Sequence, residues 1–192
     1  MKVLGITGGI GSGKSTVCEI FKILGIPIFN SDNVSKSILF TEKVSQEVID
    51  LFGIDVLSNG NLDSSKLGIL VFSNTEKLNS LNKILHPKVD KAFNYWKKKQ
   101  KAPFVVKEAA VLFESGSYEN CDWVLNISCS ESERVKRVTK RDGRDVKQIN
   151  EIIKKQWSDK KRESLSDFVI NNEDEKIIPQ IYNVYNFVLS LV

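Results

Sequence analysis

The glycine-rich segment at residues 8–15 constrains this chain more than any other part of its sequence. It reads Gly-Gly-Ile-Gly-Ser-Gly-Lys-Ser and fits the pattern G-x-x-x-x-G-K-[ST]. Residues 2–7, just before it, are rich in apolar side chains and predict a buried strand. Residues 14–24 predict a helix that stops at Gly25, because their apolar residues recur on one face. A strand, this loop and a helix in that order predict a nucleoside triphosphate site.

The residue types in the loop suit phosphate chemistry. Glycines let the backbone curl so that its N–H groups point at the β- and γ-phosphates, and the following helix presents its positive end. Lys14 is predicted to neutralise charge on the phosphate oxygens, and the Ser15 hydroxyl is predicted to ligate Mg²⁺. The alternative, a glycine-rich turn without a binding role, fits poorly with a strand before the loop and a helix after it.

Composition excludes several classes of protein. Apolar residues make up 41% and charged residues 27% of the 192 residues, as in a soluble globular domain. No apolar run approaches the roughly 18 residues of a spanning helix, and the N-terminus lacks the apolar core of a secretory signal. The three cysteines, Cys18, Cys121 and Cys129, form no CxxC pair and favour a reducing cytoplasm over a disulfide framework or a zinc site. We therefore expect a cytoplasmic protein that does not associate with membranes.

Charge gives weaker information about partners. The net charge of +4 fits a protein that handles polyanionic small molecules, and it fits an ordinary basic surface equally well. The lysine run at residues 97–99 is interpreted as a solvated helix end, so no nucleic-acid partner is expected.

Strand and helix patterns alternate along the chain. Short apolar segments at 27–29, 104–106, 123–127 and 168–170 follow the first strand, each separated from the next by helical patterns. This alternation predicts an α/β fold with a mainly parallel five-stranded sheet flanked by helices. The helical stretch between the second and third strands is too long for a simple crossover. We interpret it as an inserted helical subdomain.

Finer boundaries follow from capping and breaking residues. In the insert, residues 59–61 (Asn-Gly-Asn) predict a turn, and Pro87 is expected to end a helix at His86. Ser130 and Glu133 predict a capping box that opens a basic helix, which ends at Asp142-Gly143. A helix capped by Asp145 and a final helix over 176–191 follow.

The loop motif leaves open which class of nucleotide-binding protein this is. No N-K-x-D motif is present to read guanine, and an ATPase motor would be larger. A small kinase with a phosphate loop needs a group that activates the acceptor hydroxyl, an acceptor pocket, and cationic groups that close over the phosphoryl group.

Five residues are candidates for those tasks. Asp32 follows the second strand, where a carboxylate can take the acceptor proton, although a helix N-cap for 33–40 is equally compatible. Arg137 and Arg141 lie on one side of a predicted helix, with Arg144 continuing the spacing; they suit a closing lid or a solvated basic face. Glu108 either holds magnesium-bound water or ends a strand.

Several segments beyond the loop match one known family. They are residues 5–16, 25–27, 31–32, 60–63, 81–89, 111–114, 141–143 and 167–172, together with Leu67, Val71-Phe72, Arg137 and Gln156. The helix ending in His86-Pro87, the Leu112-Phe113-Glu114 segment and the late segment 167–172 are more specific than the loop. On these residues the chain resembles the dephospho-CoA kinase family over nearly its whole length.

The resemblance implies a P-loop kinase fold that transfers phosphate from ATP to the ribose 3′-hydroxyl of dephospho-CoA, giving coenzyme A. It implies a core at about 1–32, 103–130 and 164–192, a helical CoA-binding insert at about 33–102, and a lid at about 131–163. It implies Asp32 as catalytic base, Lys14, Arg137 and Arg141 as further catalytic residues, and His86, Glu108 and Leu112 as substrate contacts. The residues that hold ATP are then Gly11, Ser12, Gly13, Lys14, Ser15 and Thr16.

Three positions depart from the family pattern. Asn30 replaces an expected helper carboxylate, Ser64 replaces an expected arginine in the insert, and Glu108 stands where many members have aspartate. A kinase for another nucleotide or small alcohol, and a nucleotide-dependent regulatory protein without transferase activity, are the alternatives. Late segments such as 171–176 are expected to contribute backbone contacts to the adenine pocket. A monomer or weak homo-oligomer is expected.

Overall fold

The computed structural model of the chain describes residues 1–72, 74–173 and 176–192. They form two units, Met1–Asn30 with Lys99–Val192, and Ser31–Lys98. The strands are β1 (Lys2–Gly8), β2 (Ile28–Asn30), β3 (Leu57–Ser58), β4 (Asn61–Leu62), β5 (Phe104–Glu108), β6 (Trp123–Ser128) and β7 (Phe168–Asn171). The helices are α1 (Lys14–Ile23), α2 (Ser31–Leu39), α3 (Glu42–Phe52), α4 (Ser64–Phe72), α5 (Thr75–Lys97), α6 (Glu131–Asp142), α7 (Val146–Lys155), α8 (Asp159–Ser164) and α9 (Ile177–Leu189).

A five-stranded sheet forms the centre of the first unit. Its strands lie in the order β2-β5-β1-β6-β7, and every adjacent pair is parallel. Glu108 at the end of β5 is in register with Ile6 of β1 and Asn30 of β2. Because parallel strands end at the same edge of a sheet, the loop after β1 and Glu108 share that edge. The predicted α/β fold with a parallel five-stranded sheet is confirmed.

Apolar side chains cover both faces of this sheet because its central strands are buried on each side. On one face α1 and α9 pack against the sheet, with a buried cluster that includes Leu4, Ile6, Phe21, Phe104, Val106, Leu125, Ile127 and Ile181. The other face carries a smaller cluster of Ala109, Leu112, Phe113 and Val124, against which Tyr118, Cys121 and Trp157 pack.

The second unit consists of helices α2 to α5 and the short hairpin β3–β4. Its core is formed by Leu39, Val44, Val48, Val56, Leu62, Leu67, Val71, Leu81 and Leu85. The predicted turn at Asn59-Gly60 is confirmed. Both of these residues have positive φ, at 50° and 77°, which is the backbone of the tight turn that two-residue hairpins prefer.

Helix α5 runs without interruption through Pro87, so the predicted break at His86 is wrong. Its buried residues Leu81, Leu85, Val89 and Phe93 keep a four-residue spacing on both sides of the proline. Pro87 itself is exposed, so water can reach the carbonyl group that loses its backbone partner. Burial of one continuous apolar face therefore outweighs the local cost of the proline.

Two features around α6 also differ from expectation. Ser130 Oγ accepts the Glu133 N–H at 3.3 Å, but the Ser130 N–H donates to the Glu173 carboxylate at 2.8 Å. Only half of the predicted capping box is therefore present. Helix α8 is too short and too polar to show a helical period, so the sequence does not predict it. Ser158 caps this helix by accepting the Lys161 N–H. Within the three described ranges, no helix combines the length and apolar composition that crossing a membrane requires.

Candidate active site

The phosphate loop occupies residues 9–13, between the end of β1 and the start of α1. Gly13 precedes α1 with φ of 99°, and a Cβ there would overlap the side-chain amide of Asn172. Glycine is required for both reasons. The Lys14 ammonium group donates to the carbonyl oxygens of Gly8 and Gly9, at 2.8 and 3.4 Å. The first N–H groups of α1 and the Lys14 charge together favour an anion at this end of the helix.

A cavity of about 230 Å³ opens at the loop. It is lined by Gly11, Gly13, Lys14, Ser15, Glu108, Arg137, Val138 and Arg141. All but Val138 are site residues predicted from the sequence, and they come from the loop, α1, β5 and α6. Three of the lining side chains are cations and one is a carboxylate, so the cavity suits a polyanion that carries a metal ion.

Three predicted site residues of the same unit do not line this cavity. Ser12 is buried, and its hydroxyl has no hydrogen-bond partner among the described residues. Thr16 is exposed on α1. Leu112 is fully buried beneath β1, within 2.8 Å of the position that a Cβ on Gly5 would take. Its side chain offers no surface to a ligand, so Leu112 is a packing residue in this structure.

Glu108 is 8% exposed and accepts a hydrogen bond of 2.5 Å from the Asn30 side-chain amide. Asn30, the departure from the family pattern, therefore orients Glu108. Burial, and secondly the charge of Glu108, raises the pKa of the Cys18 thiol. Cys18 therefore stays protonated and is unsuited to act as a nucleophile.

Arg137 and Arg141 reach the cavity from successive turns of α6. Arg137 donates to the Asn172 carbonyl at 2.8 Å and to Glu133 at 3.1 Å. Arg141 forms two hydrogen bonds to Asp142, which raise the pKa of Arg141 and lower the pKa of Asp142. Arg144 lies beyond the Gly143 that ends α6, so the prediction that it extends the same helix side is wrong.

Asp32 and His86 belong to the second unit, whereas the loop, Glu108 and the arginines belong to the first. Asp32 is the second residue of α2 and is exposed. Because the helix begins at Ser31, Asp32 lies in its first turn, and the alternative that Asp32 is the N-cap is wrong. His86 is half-buried in the middle of α5.

Sequence reasoning gave no role to the residues that hold the loop from behind. The Gln156 side-chain oxygen accepts the Ile10 N–H at 2.9 Å, and the Asn172 amide donates to the Ser12 carbonyl at 2.7 Å. These pairs are 146 and 160 positions apart, so no local pattern reveals them. In the late segment expected to reach the adenine pocket, residues 174 and 175 lie outside the described residues.

The donors at the cavity fit a nucleotide-bound magnesium ion. The Ser15 hydroxyl and the Glu108 carboxylate are hard oxygen donors that line the same space. Mg²⁺ in kinases usually takes one or two protein ligands, with water and phosphate completing its shell. Among the residues that the structure describes, no group of three or more His, Cys, Asp or Glu side chains forms a cage for a different metal.

Comparison with known proteins shows which family the chain is similar to. The family model for dephospho-CoA kinase matches residues 2–177. A dephospho-CoA kinase of Bacteroides fragilis is 36% identical over 192 residues, which cover 98% of this chain and 94% of the relative. Among solved structures, TT1252 from Thermus thermophilus gives a TM-score of 0.88 at 29% identity, covering 100% of this chain and 97% of that one. Dephospho-CoA kinase from Campylobacter jejuni gives 0.69 at 26% identity, covering 99% and 98%.

The matched range spans the phosphate loop, Glu108, Arg137 and Arg141, and the similarity to the Bacteroides fragilis relative extends over nearly its full length. The chain therefore belongs to the dephospho-CoA kinase family.

Proposed function

We propose that the protein transfers the γ-phosphoryl group of ATP to the ribose 3′-hydroxyl of dephospho-CoA, giving coenzyme A and ADP in the last step of coenzyme A synthesis. One observation carries this proposal: the phosphate-loop cavity is lined by Lys14, Arg137, Arg141 and Glu108 in a chain of this family. Phosphoryl transfer needs positioning and charge stabilisation more than covalent chemistry, and these side chains supply both.

Lys14 and the loop N–H groups stabilise negative charge on the β- and γ-phosphate oxygens. Lys14 moves to them from the carbonyl oxygens of Gly8 and Gly9. Ser15 and Glu108 would hold Mg²⁺, directly or through water, and the bound ion would neutralise charge on the phosphates. Gly11, Ser12, Gly13 and Thr16 complete the ATP-binding segment.

Arg137 and Arg141 contact the transferring phosphoryl group as part of a lid at about 131–163. A guanidinium group forms paired hydrogen bonds to phosphate oxygens, which replace the present bonds to Glu133 and Asp142. Closure over the nucleotide excludes water and so suppresses hydrolysis of ATP without transfer.

Asp32 orients the 3′-hydroxyl and accepts its proton as the γ-phosphoryl group is transferred in line. Two observations support this role. Asp32 follows the last residue of β2 by two positions, and β2 ends at the sheet edge that carries the loop. Asp32 is exposed and lies within the first turn of α2.

Dephospho-CoA binds to the helical insert at about 33–102, with His86 among its contacts. Leu112 is left out because its side chain is wholly buried. We expect the enzyme to act in the cytoplasm as a monomer or weak homo-oligomer. A kinase for another nucleotide or small alcohol is not favoured, since the family model and the relatives are dephospho-CoA kinases over nearly the whole chain.

The test measures ADP release by purified protein with Mg-ATP. Dephospho-CoA, a panel of nucleoside monophosphates and shikimate are compared as acceptors. We expect strong stimulation by dephospho-CoA and a product heavier by one phosphate. Stimulation by another acceptor alone would mean that the protein is a kinase whose substrate is not dephospho-CoA. No stimulation by any acceptor would favour a regulatory nucleotide-binding protein.

A further inference from the structure

Behind the phosphate loop lie four residues that have no part in the transfer described above: Arg134, Gln156, Asp159 and Arg162. We call them the loop anchor. Gln156 is half-buried, and its side-chain oxygen accepts the Ile10 N–H at 2.9 Å. Ile10 is the second residue of the loop, so this bond fixes the orientation of the Gly9–Ile10 peptide. That N–H group points at Gln156 rather than at a phosphate.

The two arginines of the anchor pack against the loop backbone. Arg162 has no exposed surface and Arg134 is 3% exposed. A Cβ on Gly9 would overlap the Arg134 guanidinium group and would lie 3.0 Å from Nη2 of Arg162. The first half of the loop therefore rests directly on two guanidinium groups, and only glycine fits at Gly9.

Asp159 joins the two arginines. Its Oδ2 lies 3.1 Å from Nη2 of Arg134, and its Oδ1 accepts a hydrogen bond from Nη2 of Arg162. Buried charges are costly unless they are paired, so a shared carboxylate fixes both guanidinium groups in one arrangement. Arg134 belongs to α6 and Arg162 to α8, so this cluster also joins the two ends of the predicted lid to the loop.

The same cluster holds Gln156 in place through its neighbour Trp157. The Trp157 N–H donates to Glu114 at 2.9 Å, and its carbonyl accepts from Nη1 of Arg162. The indole ring stacks on Phe113, with centroids 6.0 Å apart and planes 6° apart. With the backbone of Trp157 fixed at both polar groups, the side chain of Gln156 has a defined starting point close to the loop.

We propose that Gln156 is a positioning residue for phosphoryl transfer, which sets the conformation of the first half of the phosphate loop and is itself held by Arg134, Asp159 and Arg162. The kinetic part of this inference rests on the proposed function, whereas the conformational part does not. A loop that is already shaped before ATP arrives loses less free energy on ordering. Loss of the hydrogen-bonding oxygen of Gln156 is therefore expected to weaken ATP binding. The affinity for dephospho-CoA is expected to stay unchanged.

The test compares Gln156→Leu with Gln156→Glu and with Gln148→Leu. Gln156→Leu removes the hydrogen-bonding oxygen while keeping a side chain of similar size, and Gln156→Glu keeps such an oxygen. Gln148→Leu is the control, because it makes the same substitution at an exposed position of α7. The first readout is hydrogen exchange of the Ile10 amide, measured by NMR without nucleotide. We expect about tenfold faster exchange in Gln156→Leu, and protection close to wild type in Gln156→Glu and Gln148→Leu.

The second readout is the Kd of Mg-ATP measured without acceptor, together with the two KM values. Gln156→Leu is expected to raise the Kd and KM of ATP by about three- to tenfold, the effect of one hydrogen bond, at constant KM for dephospho-CoA. Unchanged Ile10 exchange in Gln156→Leu would overturn the proposal. Faster exchange with unchanged ATP affinity would also overturn it, because Gln156 would then be structural only. Failure of wild type to use dephospho-CoA would count against the proposed function alone, since exchange and ATP binding need no acceptor.

Discussion

Lys14 is held on the loop carbonyls of Gly8 and Gly9, where it is ready to exchange carbonyl oxygen for phosphate oxygen. We predict that Lys14→Met lowers kcat/KM for ATP by about a hundredfold or more, because a preorganised cation at the phosphates is lost. Steady-state ADP release at saturating dephospho-CoA measures this. Lys22→Met, an exposed change in the last turn of the same helix, is the control and should stay within about twofold of wild type. A loss of less than about fivefold in Lys14→Met would contradict the assigned role.

Asp32 carries a separable prediction because its proposed role concerns the hydroxyl of dephospho-CoA and not ATP. Asp32→Asn is expected to lower kcat by about a hundredfold or more while the Kd of ATP changes little, since the amide cannot accept the proton. Asp55→Asn makes the same change at an exposed position of the same unit and serves as the control. If turnover by Asp32→Asn stays within about a factor of three of wild type, Asp32 is not the base.

At the scale of elements, the end of α6 decides which arginines serve the cavity. Arg137 lines the cavity, whereas Arg144 follows Gly143, which ends the helix in a left-handed conformation. Arg137→Met is expected to reduce kcat by about a hundredfold or more, because the proposed donor to the transferring group is lost. Arg144→Met should stay within about twofold. Both kcat values are measured in the same ADP-release assay. A comparable loss of kcat in the two variants would contradict the different roles assigned to Arg137 and Arg144.

Helix α5 offers a prediction about stability. Replacing Pro87 by alanine restores a backbone N–H in the middle of the helix and removes the clash of the ring with the preceding turn. We expect Pro87→Ala to stabilise the protein by about 1–2 kcal/mol, after allowing for the greater freedom of the unfolded chain. Thermal unfolding measures the change. Lys91→Ala, at an exposed position of the same helix, should change stability by less than about 0.5 kcal/mol. A lower midpoint in Pro87→Ala than in wild type would contradict the expectation that Pro87 costs this helix stability.

The elements differ in how far the sequence predicts them. Buried strands such as β5 and β6 are visible in the sequence as short apolar runs. Amphipathic helices such as α1 and α9 are visible as apolar residues that recur at helical spacing. The strand order was not predicted, because nothing local states which strands pair. The path through Pro87 was predicted wrongly because tertiary burial of a helix face exceeds a local preference. The sequence does not predict helix α8, because the features that distinguish it are the Ser158 cap and the burial of the charged side chain of Arg162. Neither of these gives an apolar period.

At the scale of the whole molecule, the candidate site also has one part that the sequence predicts and another part that it does not. The phosphate loop could be predicted because its function and its geometry depend on one short segment. Its support could not, because Gln156, Asn172 and the buried arginines reach it from the other end of the chain. Gln156 and Asn172 are among the residues that match the family, but the match does not show what they contact. Their hydrogen bonds to the loop backbone explain why those residue types are suited to those positions.

The C-terminal part of the first unit also gives the folded chain a dependence on pH. The Ser130 hydroxyl and N–H donate to the carboxylate of Glu173, at 2.6 and 2.8 Å, and these bonds lower the pKa of Glu173 below its ordinary value near 4.5. A carboxyl group whose pKa is lower in the folded state stabilises the fold above its unfolded pKa. That contribution is lost as the pH falls through the folded pKa.

Glu173→Gln should therefore lower the melting temperature near neutral pH, and the difference from wild type should narrow below about pH 4.5 as the wild-type carboxylate is protonated. Thermal melts of both proteins between about pH 7 and pH 3.5 measure this difference. Glu151→Gln, which neutralises an exposed carboxylate on α7, is the control and should give a small difference at every pH. A difference for Glu173→Gln that stays constant or grows on acidification would mean that the pairing with Ser130 does not depend on the charge of Glu173. The link between the start of α6 and the chain after β7 would then be held by neutral hydrogen bonds.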